Sequence, residues 1–515
     1  MWGAGLVAVV VAAVVVAVLV ALVPAARMSA GGDAPGGGVP GPRVAVGQQD
    51  RDCPGVRIGP GDDAQRTIDA HPSGTAYCLT AGTHRVGGPL VPKAGDSLRG
   101  ERGSVLSGSV VLSGWVRAGN GWSAPGRLPP EPSDSGECTA SAPLCTAAED
   151  VFLDGRRLAR VGGAAAVVPG TVYVDYLAGR VVVGDDPTGR LVEQAVAPSL
   201  VSALVDDVTV ENLVVEHAAN VGQVAAIESR EVGGEGFGSG WTVRSNEVRL
   251  NHGVGVGVAS DSTVAANVIR DQGQLGFGVW GSGSAIADNV ISGNGASGYA
   301  FEWEAGGGKA WMTEDLAVEH NLVRDNRGPG LWTDGGNIRT TYAANIVSDN
   351  DGAGIQHEIS YDALITGNEI GDNGRVHKGW AWEAGIQIQS SGGVDGRIEV
   401  VGNRVAGGPN GITLIEGGDR ADEWPAPFGP HLVRNVWVHD NVLVLSRGGS
   451  TGAVEDIDDP TVFTDGGNRF EANTYYVPTL DGEHFAWGGT ELTWSGWRGS
   501  GSGNDLTGRV LTITR

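Results

Sequence analysis

Three short segments place an acid at the same point of one repeated pattern. They are Gly298-Tyr-Ala-Phe-Glu302, Gly330-Leu-Trp-Thr-Asp334 and Gly354-Ile-Gln-His-Glu358. Each has a glycine, a strand-like run, and a carboxylate four residues after the glycine. If the runs stack as successive strands, side chains alternate between the two faces. Tyr299, Phe301, Leu331, Ile355, Ile386, Ile388, Ile412 and Leu414 then point inward. The fourth position points outward and reads Trp280, Glu302, Asp334, Glu358, Gln389 and Ile415 along the stack.

Stacked strands lie ~4.8 Å apart. Neighbouring acids would start near the ~5–5.5 Å separation used for retaining glycoside hydrolysis. The outer two approach the ~6.5–9.5 Å of inverting hydrolysis, so both outcomes stay open. Close like charges raise one carboxyl pKa, which suits a general acid. Asp334 and Glu358 form the expected catalytic pair, with Glu302 or its rival Glu304 assisting. Trp303, Trp332 and Trp280 offer faces for sugar rings. Lys309, Asn337, His357 and Gln389 complete the expected substrate contacts, although His357 falls at an inward position. The same carboxylates could instead hold Ca²⁺; no other cofactor is expected.

The elements that must position these residues follow from a repeat. Asn246, Asn267, Asn289, Asn321, Asn345, Asn368, Asn403 and Asn441 recur in one apolar frame, and Asn251, Asn294, Asn326, Asn350 and Asn373 follow five residues after some of them. A period near 22 residues without helical periodicity suits a coil of three short strands and three corners. Asparagine tolerates left-handed corners, and its amide can bond the next coil. The 86 glycines among 515 residues agree with many tight turns. The fold expected is all-β: a right-handed parallel β-helix with a small β insertion and an N-terminal hydrophobic leader.

The chain divides accordingly. Residues 1–27 read as a signal peptide or a membrane anchor, on the uncharged apolar run Leu6–Val23. Residues 28–51 form a linker, and 52–118 an N-terminal cap with the first coils. Residues 119–200 are a small antiparallel insertion with a hairpin at Asp154-Gly155. Residues 201–475 carry the repeats, and 476–515 a C-terminal cap. An even set of four cysteines in an exported chain implies two disulfides. Three connectivities are open, and the local pairs Cys53–Cys78 and Cys138–Cys145 are preferred. The net charge of −25 argues against a nucleic-acid partner.

With these features the chain resembles the right-handed parallel β-helix proteins of the pectate-lyase-like superfamily. The segments Trp303-Glu-Ala-Gly-Gly-Gly-Lys309, Gly330 to Asn337 and Gly354 to Ala363 resemble exported bacterial β-helix proteins. The insertion at 150–195 is similar to one in β-helix glycosidases acting on xylosides and fucosides. The polygalacturonase pattern of Asn-Thr-Asp, paired Asp and Gly-His-Gly is not visible. The resemblance implies an exported monomer acting on a polysaccharide or oligosaccharide. Glycoside hydrolysis is the first expectation. A uronate lyase or epimerase, with Lys309 or His357 as base, is the second, and a non-catalytic glycan binder the third.

Overall fold

The computed structural model describes residues 46–376, 379–418, 420, 426–499 and 503–513. The leader, most of the linker, and His377 and Lys378, expected beside the cleft, lie outside them. Among the described residues no helix is long and apolar enough to cross a membrane.

After a first strand, Val56–Ile58, comes the helix Ala64–Asp69, whose first turn is closed by Asp63 accepting from the Arg66 backbone N–H. The backbone then winds through three long sheets in which strands pair in parallel with the equivalent strand one turn later, except the final antiparallel hairpin Phe485–Trp487 with Thr490–Leu492. One sheet runs from Val56–Ile58 to Arg469–Glu471 and a second from Gly82–Arg85 to Arg509–Thr512. The third, which carries the acids, runs from Val201–Ser202 to Thr490–Leu492. Register is kept from turn to turn. In the first sheet Val243, Val264, Ile286, Val318 and Tyr342 are successive partners, all buried. Such apolar columns fill the interior and remove large side chains from water.

The corners differ from expectation in one respect. The left-handed residue is the one before each asparagine: Ser245, Ala266, Asp288, His320 and Ala344 have φ between 52° and 56°. The asparagine itself is buried and bonds along the axis. Asn345, for example, donates from its backbone N–H to Asn368 Oδ1 (2.9 Å) and from Nδ2 to the same oxygen (3.0 Å) and to Val318 O (2.8 Å). Each amide satisfies backbone groups that the turn would otherwise bury without partners.

The strand Ser109–Val111 pairs with Val192–Ala195 and so joins the sheets of the insertion to the coil that precedes it. The insertion forms a four-stranded and a five-stranded sheet with a separate core that includes Val151, Leu153, Val172, Val174 and Val181. Asp154 and Gly155, both at positive φ, make the hairpin turn between Val151–Leu153 and Arg156–Arg157. Disulfides join Cys53 to Cys78 and Cys138 to Cys145.

Candidate active site

The acid-bearing sheet fixes the site through a column of glycines at one corner. A Cβ on Gly276 would meet Gly307 O at 2.4 Å, one on Gly307 would meet Gly330 O at 2.2 Å, and one on Gly330 would meet Gly354 O at 2.7 Å. Four residues beyond these glycines the outward column reads Trp280, Trp311, Asp334, Glu358 and Gln389. Asp334 and Glu358 are direct partners on adjacent strands, Leu331–Asp334 and Ile355–Glu358.

Glu302 is not in that column, which corrects the sequence expectation. The glycine that starts its turn is Gly307, not Gly298, and Trp311 takes the expected acid's place. The strand is Gly306–Glu314, and its glycine run is required: a Cβ at Gly308 would lie 2.0 Å from the Phe277 ring. Residues Phe301–Glu304 instead form one helical turn beside the sheet. Tyr299 and Phe301 likewise leave the main core for a small cluster with Ala305, Trp303 and the Cys138–Cys145 disulfide. That turn is braced: Ala300 N–H donates to Glu137 O (2.9 Å), and Trp303 stacks on Tyr299 at 5.7 Å.

Glu304 and Asp334 meet at one cation. Lys309 Nζ lies 2.8 Å from Asp334 Oδ2 and also pairs with Glu304 Oε1. Burial disfavours the ammonium, but Asp334 and then Glu304 outweigh it and hold the Lys309 pKa above its usual value. The second Glu304 oxygen accepts from Gln223 Nε2. Asp334 Oδ1 is buried with no hydrogen-bond partner among the described residues.

Glu358 has a different environment. Its Oε2 accepts from Gln356 Nε2 (2.7 Å) and Trp332 Nε1 (3.1 Å), and its Oε1 from Arg420 Nη1 (2.8 Å). Burial and then the Asp334 charge push its pKa up to about 7, against the opposing pull of Arg420 and Gln356. These two acids line a cleft of about 440 Å³ together with Glu302, Trp303, Glu304, Glu383 and Gln389.

Four expected substrate contacts are placed otherwise. One of them, Trp280, lines a separate chamber rather than this cleft. His357 is fully buried, with Nε2 2.6 Å from Tyr361 O and Nδ1 2.7 Å from the Thr333 hydroxyl. The carbonyl can only accept, so the proton sits on Nε2, and burial lowers the pKa to about 4. Asn337 is also fully buried: its Oδ1 accepts from Thr313 and its Nδ2 donates to Ser360. Neither lines the cleft, because each occupies an inward or corner position. Trp332 does line it but is only 6% exposed. Its ring lies 4.3 Å from Lys309 Nζ, so it orients charged groups rather than offering an open face.

Several residues escaped the sequence reading. Gln356 and Gln387 stand in the outward column that also holds Lys309 and Trp332, and alternation could have found them. Arg420 comes from a loop after the strand Asn410–Glu416, and no local pattern marks it.

Residues 235–405 match the family model described as "right handed beta helix region". A solved structure of XylC in complex with xylose superposes with a TM-score of 0.56 at 15% identity, covering 77% of this chain and 83% of that one. This chain is a right-handed parallel β-helix. Other β-helix structures align with lower scores. The A-module of the Azotobacter vinelandii mannuronan C-5 epimerase AlgE6 gives 0.44 at 12% identity, over 88% and 94% of the two chains. The catalytic unit of a GH87 α-1,3-glucanase from Streptomyces thermodiastaticus gives 0.44 at 12%, over 92% and 70%. No curated protein matches the β-helix by sequence.

Proposed function

We propose that this β-helix is an exported glycoside hydrolase acting on an uncharged polysaccharide or oligosaccharide. The observation that carries the reading is the pair Asp334 and Glu358, register partners in one cleft, each bonded to its own cation, with Glu358 the acid whose pKa burial and its neighbour raise. An acid raised to about 7 by burial and a neighbouring charge is poised to protonate a leaving-group oxygen near neutral pH. Asp334, ion-paired with Lys309, supplies the negative charge that attacks or stabilises the developing oxocarbenium centre. Adjacent strands place the pair near the ~4.8 Å sheet spacing, closer to the ~5–5.5 Å of retaining enzymes than to the inverting range. Trp332, Gln356 and Arg420 orient Glu358.

The charge balance supports an uncharged substrate. Among the described residues, four acids besides the proton donor Glu358 (Glu302, Glu304, Asp334 and Glu383) and two cations (Lys309 and Arg420) line the cleft. That surplus repels a uronate, and an ion-paired lysine with a raised pKa is a poor proton abstractor. Both points weigh against a lyase or epimerase reading. Two disulfides suit an oxidising compartment outside the cytosol. XylC was solved in complex with xylose, which makes xylosides a sensible first substrate.

The test is a panel of neutral and uronate polysaccharides, assayed for new reducing ends and for ultraviolet-absorbing unsaturated products. Reducing ends from a neutral glycan, absent with Asp334→Asn, support the proposal. An unsaturated product, or glycan binding without turnover, overturns it.

A further inference from the structure

A second chamber of about 430 Å³ opens on the other side of the Glu304–Lys309 pair, and both residues line the two chambers. Its character is opposite to that of the first. Its walls are Phe237, Trp280, Trp311, Val254 and Leu275. Trp280 and Trp311 are paired neighbours in the column that continues into Asp334 and Glu358. The Trp280 indole lies over Gly278, where a Cβ would sit 3.0 Å from the ring. Phe237 stacks on that indole at 4.8 Å and 20°. Glycine at 278 lets the indole lie close to the strand, and a larger residue there would crowd the ring.

Most polar groups at the rim are already engaged with one another, the exposed Glu235 being the exception. Arg230 pairs with Glu228 and bonds Gln223 O, Gln223 holds Glu304, and Lys309 holds Glu304 and Asp334. A sugar ring placed against the tryptophan walls would bury hydroxyls with few partners, which is unfavourable. An apolar ring would lose nothing and gain contact with aromatic faces.

We infer that the second chamber holds an apolar, ring-sized aglycone, so that the substrate is a neutral glycoside carrying such a group beside its scissile bond. The inference rests on the hydrolase reading for the word "scissile", but the chamber's ligand class can be read without any turnover. The acid pair faces the sugar in the polar chamber, and the aglycone lies across the Glu304–Lys309 wall.

The experiment titrates 4-methylumbelliferone, which contains no glycosidic bond, against the wild-type protein and against Phe237→Ala and Trp311→Ala. Both changes are at partly exposed positions, and circular dichroism checks folding of each. Saturable binding, weakened at least tenfold by either substitution in a folded protein, is expected. In the second arm, binding of 4-methylumbelliferyl and methyl β-D-xylosides is compared in Glu358→Gln, with the umbelliferyl member at least tenfold tighter. Absence of saturable binding by the free aglycone, or binding unchanged in both folded variants, overturns the inference. Failure of the hydrolase reading would appear separately, as unchanged hydrolysis in Asp334→Asn.

Discussion

Lys309 Nζ sits 2.8 Å from Asp334 Oδ2 while also pairing with Glu304, so one ammonium joins an acid on the sheet to an acid on the neighbouring helical turn. Replacing Lys309 with Met would leave two partly desolvated carboxylates facing each other. Losing one partner of a buried pair costs about 3–5 kcal/mol. Lys309→Met is expected to lose that much in urea unfolding and to lower kcat/KM at least 100-fold. A stable, active Lys309→Met would show that the pair is ornamental.

The pH behaviour of Glu358 has a definite sign. Its folded pKa is raised from 4.5 to about 7, so the fold favours the neutral form. The associated stability is fully present below about 4.5 and is lost as pH rises through about 7. Glu358→Gln, which stays neutral, should match wild type near pH 5. It should be more stable above pH 8, by up to about 3 kcal/mol at ~1.4 kcal/mol per unit. Thermal melts at the two pH values check this. Wild-type activity should fall on the alkaline side with a midpoint near 7.

The Cys138–Cys145 disulfide packs against Tyr299 and Trp303, next to Glu304. It lies beside the coil rather than within its core. Cys138→Ser/Cys145→Ser should therefore keep the β-sheet circular dichroism spectrum but lower kcat/KM about tenfold, through looser placement of Glu304. Equal kcat/KM in the double variant would separate the disulfide from the site.

The asparagine column should be structurally demanding. Asn345 Oδ1 accepts from Asn321 N and Nδ2, and its Nδ2 donates to Val318 O and Asn368. Asn345→Ala would leave several buried groups unpaired at ~1–3 kcal/mol each. A loss of roughly 3–5 kcal/mol is expected in equilibrium unfolding. A loss below 1 kcal/mol would mean that water fills the corner at little cost.

The coil was legible in the sequence because its constraint is periodic. The Asn246-to-Asn441 series marks one buried corner per turn, and the frame around it fixes the strands. Asp334 and Glu358 were legible for the same reason: each follows its corner glycine by four residues. Glu302 was misplaced because Gly298-Tyr-Ala-Phe-Glu302 repeats the pattern of the Gly330 and Gly354 segments, whereas the true corner segment, Gly307-Gly-Lys-Ala-Trp311, does not. Only packing against Phe277 and Gly330 selects the later glycine. Glu304 was visible as a rival, but its position depends on a helical turn held by residues 137–145, far away in sequence. Arg420 had no periodic signal at all, since loops are placed by tertiary contact rather than by repeat.

The assignment of roles to the acid pair is tested most directly by leaving-group dependence. Hydrolysis of a weakly activated alkyl xyloside and of 2,4-dinitrophenyl xyloside is compared in wild type, Glu358→Gln and Asp334→Asn. A departing dinitrophenolate needs no proton, so Glu358→Gln should keep hydrolysis of the activated substrate within about tenfold of wild type while losing the alkyl xyloside by at least 1000-fold. Asp334→Asn should lose both. Equal losses on the two substrates in Glu358→Gln, or full activity in Asp334→Asn, would contradict the account.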